Sequence, residues 1–110
     1  MESASPIRYF VFMIRIDAIA RLQEQAETVR GMGATALYLF GSTVRDAAHA
    51  GSDLDLFIDY DQDSRFNAFD LIGIKLLLET KLEVPIDITT RYGLHPVLKS
   101  EIEKSAVQVF

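Results

Sequence analysis

The sequence predicts one α/β domain, and three observations carry that prediction. Two stretches, 17–30 and 67–81, repeat their apolar residues with a helical period. Three short runs, 36–40, 53–59 and 84–89, are apolar or alternate polar with apolar as strands do. The two kinds of segment follow one another along the chain, with Gly and Ser at several of the junctions.

At 110 residues the chain is long enough for a single core. Hydrophobic residues make up 49% and charged residues 25%, a balance that excludes a disordered chain. The net charge of −5 argues against direct nucleic-acid binding, which relies on clustered Lys and Arg. With no cysteine there is no disulfide framework and no thiolate metal site. The run 7–16, IRYFVFMIRI, is apolar but carries Arg8 and Arg15 and is too short to span a membrane. No small-residue cleavage site follows it, so a cytoplasmic protein is expected. Residues 1–14 read as an N-terminal extension or a partner-contacting segment, and Met13 is an alternative start.

In the first helix, Ile19, Leu22, Ala26 and Val29 form the apolar stripe. Asp17 is the expected N-cap, and Gly31 and Gly33 end the helix. Ala36–Phe40 is a strand. Gly41-Ser42 then turns the chain into a short helical segment, 43–48, whose first backbone N–H groups suit an anion. Ser42 serves a phosphate, a metal shell or a plain N-cap. Arg45, one turn on, suits phosphate oxygens or a surface pair with Asp46. His49 reads as a loop residue.

Ten residues separate Ser42 from Asp53, and Asp55 follows two places later. In a strand these two acids share a face, about 6.8 Å apart, while Leu54, Leu56 and Ile58 share the other. Two carboxylates aimed at one spot about 4 Å apart repel by roughly 4 kcal/mol at an effective dielectric near 20. A hard divalent cation with oxygen ligands, such as Mg²⁺, relieves this. Asp59 and Asp61 read as strand-end and loop acids. In the second helix Leu71, Ile74 and Leu78 line one face, with Phe69, Ile72 and Leu76 beside them. Gly73 suggests a close helix contact. The third strand places Asp87 between Ile86 and Ile88, where an unpaired carboxylate on a covered face is costly. A metal shared with Asp53 and Asp55 removes that cost. Arg91–Leu94 reads as a turn, His95-Pro96 as the start of a last helix with Leu98 and Ile102 inward, and 106–110 as a short extra strand.

Gly-Ser, ten residues, then Asp-x-Asp resembles the signature of the minimal nucleotidyltransferases of the DNA polymerase β superfamily, antitoxin members included. Arg45, Ala48 and Ser52 fit the same pattern, whereas Asp46 stands where many relatives have glycine. The resemblance covers the chain from about Asp17 to its end. It implies a short mixed β-sheet with helices on one face and the acids on the other. It implies transfer of AMP from ATP to an acceptor hydroxyl, assisted by two Mg²⁺ ions. Asp53, Asp55 and Asp87 are the implied catalytic and metal-binding residues, with Gly41, Ser42 and Arg45 holding the nucleotide. It further implies an antitoxin whose partner is a HEPN-type toxin, adenylylated on tyrosine; the spare apolar surface of the N-terminal run or the second helix is compatible with a hetero-oligomer with such a partner or with a homodimer. Two other readings compete: an idle module that neutralises a toxin by contact, and a transferase acting on a small-molecule hydroxyl.

Overall fold

The computed structural model describes residues 15–41 and 53–110. The apolar run before Arg15, the helical segment 43–48, and Ser42, Arg45, Asp46 and His49 all lie outside the described residues.

The described elements are α1 (Arg15–Gln23), α2 (Ala26–Gly31), β1 (Ala34–Phe40), β2 (Leu54–Tyr60), α3 (Ala68–Leu82), β3 (Ile86–Thr90), a 3-10 turn (Arg91–Gly93), α4 (Lys99–Ser105) and β4 (Val107–Gln108). The four strands form one sheet in the order β3-β2-β1-β4. β1 is antiparallel to both β2 and β4, and β2 is parallel to β3. A parallel pair needs a crossover, and α3 provides it.

One face of the sheet carries the core. Leu37, Leu39, Leu54, Leu56, Ile58 and Ile86 pack there against Ala18, Leu22, Val29, Ile74, Leu78 and Leu82 from the helices. Each fully buried Leu, Ile or Val contributes on the order of 1.5–3 kcal/mol. A bulge between Ala34 and Ala36 shifts the register against β2, so that Ala34 pairs with Tyr60 and Ala36 with Asp59. Alternation then sends Ala36, Tyr38 and Phe40 to the face away from the helices, with Asp55, Phe57 and Asp59 of β2 and Asp87 and Thr89 of β3.

α3 is fixed at both ends. Asn67 accepts hydrogen bonds from the Phe69 and Asp70 N–H groups, while the Asp70 carboxylate accepts from the Asn67 N–H at 2.9 Å. This reciprocal cap satisfies donors that the first turn leaves open. At the other end Glu83 adopts a left-handed conformation, φ 57°, which turns the chain toward β3. The Glu79 carboxylate accepts from the Ile86 N–H at 3.0 Å, so the helix also holds the first residue of the strand that carries Asp87.

Several local expectations are corrected. The first helix is two helices, broken at Glu24 and Gln25, where the Gln25 N–H bonds back three residues to the Leu22 carbonyl. The break lets α2 lie against β1 with Val29 fully buried. Asp17 lies in the first turn of α1, so it is no N-cap. The last helix starts at Lys99, not at Pro96. His95 holds a turn ahead of it, its Nδ1 accepting from the Val97 N–H at 3.2 Å and its carbonyl from the Leu98 N–H at 2.9 Å. Leu98 is consequently 52% exposed instead of facing inward. The close contact expected at Gly73 is with Met32, whose methyl group lies 3.2 Å from where a Cβ would stand.

The cap at Asn67 yields a stability prediction. Asn67→Ala lowers the stability of the domain by about 1 kcal/mol. A fall in the urea midpoint with an unchanged m-value checks it.

Candidate active site

The acids gather at the start of the β2–β3 ladder. Asp55 is the direct cross-strand partner of Asp87. Paired residues on adjacent strands point the same way, with strands about 4.8 Å apart, so the two carboxyls share the open face. Asp53 stands just ahead of β2 and is exposed; Asp55 is half-buried and Asp87 exposed. On its other side Asp55 pairs with Phe40, the last residue of β1.

Gly41 follows immediately. Its φ is +83°, and a Cβ built there would overlap the Asp55 carboxylate. The requirement for glycine is therefore double, set by the backbone angle and by the acid beside it.

Burial pushes the Asp55 carboxyl up to about 6 from an ordinary 3.8, and the negative charges of Asp87 and Asp53 push it the same way. Asp53 and Asp87 are thus both close enough to act on Asp55 electrically. Among the described residues, no group of three or more His, Cys, Asp or Glu side chains is gathered into a metal-holding set. The donor chemistry nevertheless fits a hard cation: Asp53, Asp55 and Asp87 offer only carboxylate oxygens, with no thiolate or imidazole among them.

Below the acids the open face is aromatic. Phe57, 1% exposed, stacks on Tyr38 with ring centres 4.7 Å apart, and Phe40 tilts against it at 5.8 Å. Arg91 lies over both Tyr38 and Phe57, and binds Asp59 and Glu103 through its N–H groups at 2.8–2.9 Å. The hydrogen bond to Asp59, then that to Glu103, raises the Arg91 guanidinium further above its already high range, so it stays charged. Asp59 stands near the end of β2 and Arg91 opens the 3-10 turn, both as expected, but nothing local in the sequence pairs them. The signal for joining them was the parallel period of two, 55-57-59 beside 87-89-91. Ser42 and Arg45 are outside the described residues, so the structure does not locate them relative to the acids. A separate cavity of about 220 Å³, lined by Tyr60, Phe66, Asn67, Ala68, Leu71 and Thr90, sits at the other end of β2 and has no charged residue in its lining.

A mixed sheet with helices on one face and carboxylates paired on the other, beside a glycine turn, is the architecture of a nucleotidyltransferase domain. The family model described as "Nucleotidyltransferase domain" matches residues 22–109, and the chain belongs to that family. The chain is 32% identical over 71 residues to a protein of Methanocaldococcus jannaschii named "Putative protein adenylyltransferase", covering 64% of this chain and 74% of that one. A solved structure described as "putative minimal nucleotidyltransferase" superposes with a TM-score of 0.74 at 30% identity, over 86% of this chain and 95% of the other. A toxin–antitoxin structure solved with AMP-PNP shares the fold, with a TM-score of 0.64 at 18% identity over 80% and 72% of the two chains. The chain is thus an enzyme of the nucleotidyltransferase class, with relatives named for protein adenylylation.

Two predictions follow from this geometry. Gly41→Ala costs about 1–3 kcal/mol through the left-handed backbone alone, and more through the clash with Asp55; a urea titration reads the loss. For Asp55, the folded group keeps its proton up to about 6, while the unfolded one loses it near 3.8. The folded state therefore binds more protons in that window, and its stability falls as pH rises through it. In metal-free protein, Asp55→Asn removes that fall and adds about 1–2 kcal/mol at pH 7.5, allowing for solvent screening of a half-exposed group. Urea midpoints of the two proteins at pH 4 and pH 7.5, compared side by side, give the measurement.

Proposed function

We propose that this domain transfers AMP from ATP to a hydroxyl group on a partner protein, with Mg²⁺, the hydroxyl oxygen bonding to the α-phosphorus as the α–β bond breaks and pyrophosphate leaves, and that it is the antitoxin of a pair whose toxin is of the HEPN type. The observation that carries the catalytic part is the cross-strand pairing of Asp55 with Asp87, directly beside a turn at Gly41 that only glycine fits. A triphosphate brought to three acids meets strong repulsion unless a cation intervenes. When bound, magnesium would neutralise that charge and make the attacking hydroxyl easier to deprotonate.

In this reading Asp53 and Asp55 hold the cation from β2 and its approach, and Asp87 completes the set from β3. Asp87, the more exposed member of the cross-strand pair, is also the group to take the proton of the incoming hydroxyl. Gly41 leaves room for phosphate oxygens next to Asp55. Ser42 and Arg45 keep the nucleotide-holding roles that the family resemblance implies. The protein acceptor is supported by the names of the archaeal relatives, and the toxin by the assembly and ATP analogue of the related toxin–antitoxin structure. Phe69, Ile72 and Leu76 on α3, exposed by 83%, 50% and 56%, offer apolar surface to such a partner.

The test uses purified protein, ATP labelled in the α-phosphate, Mg²⁺ and the protein encoded beside it. Label passes to the neighbour, and Asp53→Asn and Asp55→Asn each lower the rate by at least about 100-fold, a loss typical of a group acting on the transition state. Full toxin neutralisation by the double variant would favour an idle binding module. Label transfer to an aminoglycoside without any protein partner would favour a small-molecule acceptor.

A further inference from the structure

The parallel ladder between β2 and β3 carries opposite electrostatics at its two ends. At its start Asp55 pairs with Asp87, two like charges. The ladder runs on through Leu56↔Ile88, Phe57↔Thr89 and Ile58↔Thr90, so the next step sets Asp59 against Arg91. There the guanidinium grips the carboxylate at both oxygens, Nε to Oδ1 at 2.8 Å and Nη2 to Oδ2 at 2.9 Å. Its Nη1 donates to Oε2 of Glu103 on α4 at 2.8 Å. Its central carbon, Cζ, lies 4.9 Å from the ring centre of Tyr38 and 5.0 Å from that of Phe57. Phe57 is two residues from Asp55 on the same face.

We propose that Arg91 is a positioning residue, whose fork locks the β2–β3 register and thereby sets Asp87 beside Asp55. β3 is a five-residue strand whose only sheet neighbour among the described residues is β2. A slip of one residue would turn Asp87 toward the helices, because side chains alternate. A slip of two would keep its face but carry it about 6.6 Å along the strand. Repulsion between Asp55 and Asp87 favours any such departure. The fork resists it because two parallel hydrogen bonds fix both distance and direction, and the flanking rings hold its plane. A lysine ammonium is a point charge on a flexible stem and fixes neither. The proposal rests on the reading of Asp55 and Asp87 as cation ligands.

The experiment measures Mn²⁺ binding to the whole chain by loss of the free-ion EPR signal. It compares wild type with Arg91→Lys, Asp59→Asn and Glu103→Gln. Circular dichroism checks folding, and hydrogen exchange of the β3 amides is followed in metal-free protein. Arg91→Lys and Asp59→Asn are expected to weaken Mn²⁺ binding by about tenfold, as loss of a supporting contact does, and to speed exchange across β3. Glu103→Gln, which spares both bonds to Asp59, stays within about twofold, the range of a surface pair. A folded Arg91→Lys that binds Mn²⁺ as wild type does, with unchanged exchange, overturns the proposal. So does an equal effect of Glu103→Gln, which would place the work in α4. Should neither Arg91→Lys nor Asp59→Asn fold, Arg91 serves overall stability and the assignment is wrong. A wild type that binds no Mn²⁺ sinks the cation reading instead, and the exchange data then decide the register lock alone.

Discussion

The parallel pairing of β2 with β3 is the constraint on which the rest of this domain depends. It sets two carboxylates side by side, an arrangement that on its own repels by about 3 kcal/mol at ~5 Å and an effective dielectric near 20. Much of what holds it is on the opposite face. Leu54, Leu56, Ile58 and Ile86 are buried there against α3 and its neighbours. Several such side chains, at about 1.5–3 kcal/mol each, outweigh one like-charge pair. The crossover helix therefore does two things at once: it makes the parallel geometry possible and covers the apolar side of the strands whose other side carries the acids.

The open face is organised by a different set of forces. Phe57 points away from the helices yet is almost fully buried, because Tyr38, Phe40 and Arg91 cover it. Ring stacking and a cation over a ring are each worth on the order of 0.5–1.5 kcal/mol. Phe40 of that layer is also the cross-strand partner of Asp55, whose burial is the leading cause of its raised pKa. The mismatch between a half-buried acid and its two charged neighbours is what a divalent cation would relieve.

Much of the architecture was legible in the chain, for identifiable reasons. The alternation of Leu54, Leu56 and Ile58 with Asp53 and Asp55 fixed which side of β2 is wet, since a strand has only two faces. Asp87 between two isoleucines was readable as an acid needing a partner. The short C-terminal strand formed as expected, pairing Val107 and Gln108 with β1. Less legible were the features set by packing. No glycine or proline marks the break at Glu24 and Gln25, which arises from fitting α2 onto β1. Pro96 is a plausible first residue of a helix, but the His95 side chain and carbonyl capture the N–H groups of Val97 and Leu98, so the helix begins later. Arg91 lies in the turn expected for it, but its pairing was not legible because its partners, Asp59 and Glu103, lie 32 and 12 positions away.

The sequence by itself determined the element types, the wet and dry faces of β2, and the chemistry of its acids, because each follows from periods of two or 3.6 and from residue type within a few positions. Only the tertiary structure decided that β3 lies parallel to β2 with Asp87 level with Asp55, that Gly41 abuts that carboxylate, and that Arg91 closes the ladder. Those facts depend on a crossover helix packing one way, on a short strand settling in one register, and on contacts between residues far apart in the chain. No local pattern encodes them.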